Sequence, residues 1–141
     1  DVGLSVSRVG GRTQPPLLSA LAGRLRLAYA QFVELEVFTR FGATTDERTR
    51  ATITHGRRIR AALVQAQGDP LSLGEEVGLL VALSERLFDA VPEEAVPKAI
   101  AAVRQAARAK LGDLHADAPL DDAGRAAVAA VVKAAIPAGN A

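Results

Sequence analysis

Apolar side chains along this chain recur mainly every three or four residues, which is the spacing of one face of an α-helix. Turn and capping residues separate the stripes from one another. The stripes are Leu21, Leu25, Ala28, Phe32, Leu35 and Phe38; Val77, Leu80, Val81, Ser84, Leu87 and Phe88; Val96, Ile100, Val103, Ala107, Leu111 and Leu114; and Val128, Val131, Val132 and Ala135. The pattern predicts an all-α fold, a bundle of five to six helices with short connections.

Residues that start or stop helices lie between these stripes. Pro15 and Pro16 suit a first helical turn, Gly23 predicts a break into two helices, and Gly42 ends that stretch. Capping boxes at 44–47 and 72–75, and a capping Asp121, predict three further helix starts. The helix after the first box is expected to run to about Val64, and residues 65–70 are expected to form a loop. Pro92 predicts a turn. Pro137 and Gly139 are expected to end the last helix.

The N-terminal stretch has a different period. Val2, Leu4 and Val6 alternate with small residues, which is typical of a half-buried strand, and Gly10–Gly11 then break the pattern. No later stretch has the pattern of a partner strand. We therefore expect residues 1–14 to be the tail of a preceding α/β domain and residues 15–141 to be a helical domain.

Composition agrees with helices and narrows the chemistry. Hydrophobic residues make up 49% of the 141-residue chain, aromatic residues only 4%, and there is no cysteine. Thiolate and disulfide chemistry are therefore excluded, and no apolar run approaches the roughly 20 residues that span a bilayer. Net charge is +1, but residues 1–68 carry ten arginines against five acidic residues, and residues 69–141 carry seven basic against eleven acidic residues. Such asymmetry suggests oriented contact with a partner, although two solvated faces of one domain explain it equally well.

Sequence motifs for common active sites are lacking. There is no phosphate-binding glycine loop, and His55 and His115 have no ligand-type neighbours, so we expect surface or structural histidines and no metal site. The basic stretch at 55–60 is interpreted as a solvated or inter-subunit, arginine-rich helix face rather than a nucleic-acid patch, because aromatic residues do not interleave with it and the whole chain is close to neutral. That face comprises Arg50, Arg57, Arg58 and Arg60.

Arg8 follows the predicted strand and precedes the flexible Gly10–Gly11. Ligands bind at the carboxyl ends of strands in open α/β sheets, so this arginine is placed where it could reach a phosphate across an interface. An ordinary surface arginine at a domain junction explains the same local sequence equally well.

Residues 1–42 resemble the alpha subunit of F-type ATP synthases. That family has a GxSVSRVG segment and a helix close to LRLxxAQxxELxxFxxFG, and this chain reads GLSVSRVG and LRLAYAQFVELEVFTRFG. The similarity continues through residues 48–77 and the LFDAVPEEAV turn, to about residue 97. Beyond that point only the helical pattern is similar.

The resemblance implies a C-terminal helical domain attached to the last strand of a nucleotide-binding domain. It implies that Arg8 is the arginine finger that reaches the catalytic site of a neighbouring beta subunit. It implies that Gln65 and Gln67 contact the adenine of alpha's own non-catalytic site, where amides offer both a donor and an acceptor. The implied cofactors are ATP or ADP with Mg²⁺ in the full complex, with none on this chain alone, which is expected to be inactive by itself.

The implied partners are the beta subunits, the gamma subunit of the central stalk, the peripheral stalk and the delta subunit. The turn near Leu87–Val91 is expected to be the part of this domain closest to gamma. The peripheral stalk and delta are expected to contact other parts of the alpha subunit. No nucleic-acid partner is expected. The implied complex couples ATP synthesis or hydrolysis to ion transport at the cytoplasmic side of the bacterial inner membrane. This chain is expected to contact the membrane only indirectly, through its partners.

The chain departs from the family at Gly68-Asp69-Pro70, where Tyr-Ser-Pro is usual. This puts nucleotide affinity at the non-catalytic site in question. Such changes suggest a divergent alpha subunit, of the alternate, sodium-associated bacterial lineage. The alternative class is a free-standing helical interaction module that binds acidic partners through its arginine-rich first half.

Overall fold

The computed structural model describes residues 16–40, 46–67, 71–112 and 121–136. Within these ranges the chain is all-α, as predicted, with five helices and one turn of 3₁₀ helix. The helices are α1 (Pro16–Arg40), α2 (Glu47–Gln67), α3 (Leu73–Ser84), α4 (Val96–Lys110) and α5 (Asp122–Ala135), and the 3₁₀ turn is Glu93–Ala95. The strand predicted at residues 2–7 lies outside the described residues.

Helix α3 is the centre of the bundle. Every residue from Val77 to Leu83 is buried, and α1, α2, α4 and α5 all pack against this helix. A helix that is apolar on all sides must be covered on all sides. The single stripe predicted for residues 77–88 was therefore too narrow, and it was also too long, because α3 ends at Ser84 and the last two stripe residues, Leu87 and Phe88, follow it in a turn.

Helices α4 and α5 cover α3 through the faces that their spacing predicts. The α4 residues Val96, Ile100, Val103 and Ala107 are buried, and Leu111 follows them in the core. A Cβ on Gly74 would lie 2.7 Å from the carbonyl oxygen of Leu111, so a glycine lets the end of α4 approach α3 closely. In α5, Val128 and Val132 are buried, while Val131 and Ala135 are half-buried. Leu114, Pro137 and Gly139 lie outside the described residues.

Two of the three predicted helix starts are confirmed. Ser72 and Glu75 form a reciprocal capping box at α3, with the Ser72 hydroxyl accepting from the Glu75 amide at 3.3 Å. The Asp121 carboxylate accepts from the Gly124 amide at 2.8 Å at α5. The third box was misplaced by two residues: Asp46, not Thr44, caps α2, with its carboxylate 2.8 Å from the Thr49 amide nitrogen. A carboxylate caps as well as a hydroxyl and also complements the helix dipole.

The predicted break at Gly23 is wrong, because α1 continues through it without interruption. Leu21, Ala22 and Leu25 are buried on both sides of this glycine, and their packing outweighs the weak helix propensity of one residue. Phe38 was placed on the inward stripe but is 62% exposed. Helix α2 runs three residues past the expected end at Val64, and Gly42 lies outside the described residues.

Residues 85–92 form the turn that joins α3 to the 3₁₀ helix, and we call them the 85–92 turn. Arg86 has a φ of +58° there, the left-handed conformation that reverses the chain. Backbone hydrogen bonds within the turn join the Leu87 amide to the Ala82 carbonyl and the Val91 amide to the Phe88 carbonyl. No helix within the described ranges is both long and apolar enough to cross a membrane.

Candidate functional site

The residues assigned functional roles from the sequence lie at the limits of the described structure. Arg8 is outside the described residues, as is His115. Gln65 and Gln67 belong to the last turn of α2, but their side chains lie outside the described part. Gly68-Asp69-Pro70, the departure from the family pattern, also lies outside it. The described helices therefore place the backbone of the two glutamines and leave the roles of all three site residues as predictions.

An apolar hollow lies between the second half of α2 and helix α3. Its lining consists of Ala62, Leu63, Leu71, Glu76, Leu79, Leu80 and Leu83, and its volume is about 30 Å³. Burial raises the pKa of the Glu76 carboxyl at this hollow. The volume is roughly that of one water molecule, whereas pockets for nucleotide-sized ligands are about ten times larger or more. As the described residues form it, this hollow is too small to enclose an adenine ring.

The structure reveals a cluster of polar side chains on α2 that faces the 85–92 turn. Arg58 is buried, and its guanidinium donates to two backbone carbonyls: Nε to Phe88 at 3.1 Å and a terminal nitrogen to Val91 at 3.0 Å. The Glu93 carboxylate lies 3.7 Å from the other terminal nitrogen. One planar cation thus contacts both ends of residues 88–91.

A second contact of the same cluster joins His55 to Asp89. The imidazole is buried, and its Nδ1 lies 3.1 Å from a carboxylate oxygen of Asp89. An ionised carboxylate only accepts hydrogen bonds, so Nδ1 carries the proton in this contact. The other oxygen of Asp89 lies 3.6 Å from the Arg86 guanidinium. His55 is therefore a structural residue, which is one of the two roles expected for it.

The predicted arginine-rich face of α2 does not exist as a single surface. Arg58 is buried, and Arg60 lies over the Phe32 ring with its guanidinium carbon 4.8 Å from the ring centroid. Arg60 also forms two hydrogen bonds to the Glu36 carboxylate, at 3.0 and 3.2 Å, which raise its pKa. Only Arg50 and Arg57 remain exposed. Two of the four arginines are thus engaged within the domain, which weakens the alternative prediction of an interaction module that binds acidic partners through this face.

Glu75 links α3 to α4 as a buried carboxylate with three sets of partners. Arg104 donates to it at 2.7 Å, Arg108 at 3.2 Å, and the Ser72 amide at 3.1 Å. Burial raises the pKa of Glu75, but these hydrogen bonds outweigh burial and lower it to about 2. The buried Glu75 carboxylate has its hydrogen-bond partners within the domain, which is typical of a structural contact between helices.

Helix spacing could have located His55 and Arg58 correctly. His55, Ile59 and Ala62 follow one another at intervals of four and three, so the histidine shares a face with the core residues of α2. Arg58 precedes Ile59 on the edge of that face. A polar residue at a core position indicates a buried partner, but the identity of that partner, 30 or more residues away, is not encoded locally.

Comparison with known proteins decides the family. The family described as the ATP synthase alpha/beta chain, C-terminal domain, matches residues 14–135. The chain belongs to this family. The match begins just before α1 and ends at the last residue of α5, so it includes all five helices of the described ranges.

The individual relatives are alpha subunits. The chain is 58% identical over 104 residues to ATP synthase subunit alpha 2 of Nitrosospira multiformis, which covers 74% of this chain and 20% of that protein. It is 48% identical over 134 residues to subunit alpha 1 of Paraburkholderia xenovorans, an alignment that covers 94% of this chain and 26% of that protein. It is 45% identical over 140 residues to subunit alpha 1 of Chlorobium luteolum, an alignment that covers 96% of this chain and 27% of that protein.

These matches confirm the resemblance to the C-terminal region of alpha subunits, including the part beyond residue 97 where only the helical pattern was similar. The chain spans about a fifth to a quarter of the length of the relatives it matches. The similarity to the Chlorobium subunit extends over 96% of the chain.

Proposed function

We propose that this chain acts as the C-terminal helical domain of an alpha subunit in an F-type ATP synthase, in a ring of alpha and beta subunits around a rotating stalk. The observation that carries the proposal is the family match over residues 14–135, together with the similarity to the three alpha subunits described above. The complex would couple ATP synthesis and hydrolysis to ion transport at the cytoplasmic side of the inner membrane, with beta, gamma and the peripheral stalk as partners.

In this proposal Arg8 is the arginine finger. Its guanidinium would reach the catalytic site of the neighbouring beta subunit and stabilise charge on the transferring phosphoryl group. A planar cation with several donors suits this task because the developing charge is spread over several phosphate oxygens. The resemblance of GLSVSRVG to the family segment supports the assignment.

Gln65 and Gln67 would contact adenine at the non-catalytic site of alpha. Both belong to the last turn of α2, two residues apart, so residues outside the described ranges must complete any pocket around them. Bound ATP or ADP brings Mg²⁺ in such complexes, but no three acidic or imidazole side chains converge within the described residues. The chain alone has no phosphate-binding glycine loop, so it should not hydrolyse ATP.

The test is an Arg8→Ala substitution in the full-length parent, reconstituted with beta and gamma subunits. We expect assembly to proceed normally and multisite ATPase turnover to fall by about 10³-fold or more, as for arginine fingers elsewhere. Arg57→Ala, at an exposed position of α2, is the matched control and should leave turnover unchanged. Full turnover in a correctly assembled Arg8→Ala complex would remove the arginine-finger assignment.

A further inference from the structure

The Glu76 carboxyl at the apolar hollow between α2 and α3 has no polar partner within the described ranges. Neither a hydrogen bond nor an ion pair joins this half-buried side chain to another described residue, and burial raises its pKa. Its neighbour Glu75 differs, since Arg104, Arg108 and Ser72 all donate to it. A carboxylate that is partly removed from water without a donor or a cation is unfavourable. Glu76 therefore indicates a cationic partner outside the described ranges.

The lining of the hollow indicates the shape of that partner. Apart from Glu76, the lining consists of the aliphatic side chains of α2, α3 and Leu71. Lysine and arginine place an aliphatic stem along such surfaces and keep the charged head at a polar edge. A long basic side chain matches both features, because its stem would cover the leucines while its head reaches the carboxylate of Glu76.

The start of α1 lies near the hollow. Helices α1 and α2 are joined by a short connection and pack side by side, which is the arrangement of antiparallel neighbours. Phe32 of α1 lies on Gly56 of α2, so residues before Phe32 lie beside residues after Gly56. In agreement, Leu21 and Leu25 share a core with Leu63. The chain therefore enters α1 close to the end of α2, where the hollow lies.

The segment that leads into α1 carries the required charge. Residues 1–15 contain two basic residues, Arg8 and Arg12, and one acidic residue. Arg12 precedes Pro16, the first residue of α1, by four residues, and four residues of chain reach up to about 14 Å. This reach exceeds the separation of roughly 8–10 Å between the axes of packed helices. Arg12 can therefore extend from the beginning of α1 to Glu76.

We propose that Arg12 binds Glu76 and lays its aliphatic stem over the apolar hollow, which fastens the segment before α1 to the helical domain. The contact lies four residues after Arg8. Under the proposed function, on which this consequence rests, the contact limits the directions in which the arginine finger can point. Arg12 touches neither nucleotide nor phosphate in this role and is therefore a positioning residue.

Chemical cross-linking in the assembled, full-length parent tests the contact. This chain contains no cysteine, so Arg12→Cys with Glu76→Cys introduces one pair of thiols once cysteines elsewhere in the complex have been replaced. A bis-methanethiosulfonate reagent with a spacer as long as an arginine–glutamate pair should join them, and peptide mass spectrometry identifies the product. Arg12→Cys with Glu94→Cys is the matched control and should remain unlinked, because Glu94 is exposed beyond the far end of α3.

A charge exchange tests the positioning role. Arg12→Glu and Glu76→Arg each place like charges at the hollow, and we expect kcat for ATP hydrolysis to fall by about tenfold or more with KM unchanged, because the finger is misplaced. The combined exchange restores an opposite pair and should return kcat to within about twofold of the parent. A merely structural role would lower the yield of assembled complex without lowering kcat per complex. If Glu76→Arg does not assemble, Glu76→Gln and Arg12→Gln replace the single variants, with smaller decreases in kcat expected.

Three results would overturn the proposal. One is the absence of a cross-link between positions 12 and 76 in an assembled complex. Another is cross-linking of the Glu76→Cys variant to a beta or gamma subunit by a thiol–amine reagent, which would show that another chain covers the hollow. The third is an unchanged kcat in the single variants. Failure of the proposed function is separable from all three, because it would appear as full turnover in the Arg8→Ala complex while the cross-link still forms.

Discussion

Gly56 of α2 is required by the ring of Phe32 on α1. A Cβ at position 56 would overlap the Cβ and ring carbons of Phe32, and that ring is fully buried. The glycine costs some helix propensity, but it allows an aromatic ring to lie directly on the α2 backbone. At Gly23 of α1 the situation is reversed, since the nearest atom to an added Cβ belongs to the flexible Arg26 side chain, at 3.9 Å.

Opposite effects of alanine are therefore expected at the two glycines. Gly56→Ala should destabilise the domain by about 1–3 kcal/mol or more, because the ring must move within a packed core. Gly23→Ala should stabilise it by about 0.5–1 kcal/mol through helix propensity. Chemical denaturation of each variant, followed by circular dichroism, measures both values. Equal effects of the two substitutions would contradict this account of the contact between α1 and α2.

For polar residues in the core, the sequence predicts the position of the residue but not the identity of its hydrogen-bond partner. The position of His55 on the apolar face of α2 was readable from spacing, and a structural role was expected. Its partner Asp89 was not readable, and Arg58 was wrongly assigned to an exposed face. Each partner is more than 30 residues away or is a backbone carbonyl, so the pairing depends on how the helices dock and not on local pattern.

At the scale of elements, predictions from the sequence succeeded where a local chemical feature specified the outcome. The start of α3 is set by Ser72 and Glu75 within four residues, and the start of α5 by Asp121 alone. Predictions were less successful where packing decided. The continuity of α1 through Gly23 and the burial of α3 on all sides depend on neighbouring helices, which one element's spacing does not reveal.

Glu75 makes the docking of α3 on α4 sensitive to acid. Its pKa in the folded chain is about 2, below its ordinary 4.5, so the folded state favours the ionised form. The stabilisation is therefore complete above pH 4.5 and is lost as the pH falls toward 2. For a buried group this difference corresponds to about 3 kcal/mol.

We expect the free energy of unfolding to decrease between pH 5 and pH 2 and Glu75→Gln to flatten that decrease. At neutral pH the variant should be less stable than the parent chain, because Arg104 and Arg108 lose their charged acceptor. Glu94→Gln, at an exposed position, is the control and should preserve the pH dependence. Urea titrations at several pH values provide the measurement, and an unchanged slope in Glu75→Gln would refute the assignment.

On the scale of the whole molecule, the helical domain and its family could be identified from the sequence, but the predicted site could not be examined. Arg8 and the side chains of Gln65 and Gln67 lie outside the part of the chain that the structure describes. By the proposal, each acts on a ligand held by other parts of an assembly. A site completed by other domains and subunits has no complete geometry within one domain.

The glutamine assignment predicts a loss of bound nucleotide in the assembled parent. A double Gln65→Ala, Gln67→Ala variant should lose hydrogen bonds to adenine, so ATP or ADP retained at the non-catalytic sites after gel filtration should fall about tenfold or more. Catalytic-site nucleotide should be unaffected. Exposed Glu94→Gln serves as the control. Retention equal to that of the parent would show that these amides do not hold adenine.

The contact between α1 and α2 also provides an optical property. The chain contains one tyrosine and no tryptophan, and that tyrosine, Tyr29, accepts a hydrogen bond from Arg60 and lies 5.6 Å from the Phe32 ring, centroid to centroid. Tyrosine emission from the domain therefore originates at one place, beside the ring that Gly56 accommodates. The chain reports the separation of its first two helices through its own fluorescence, without an added label.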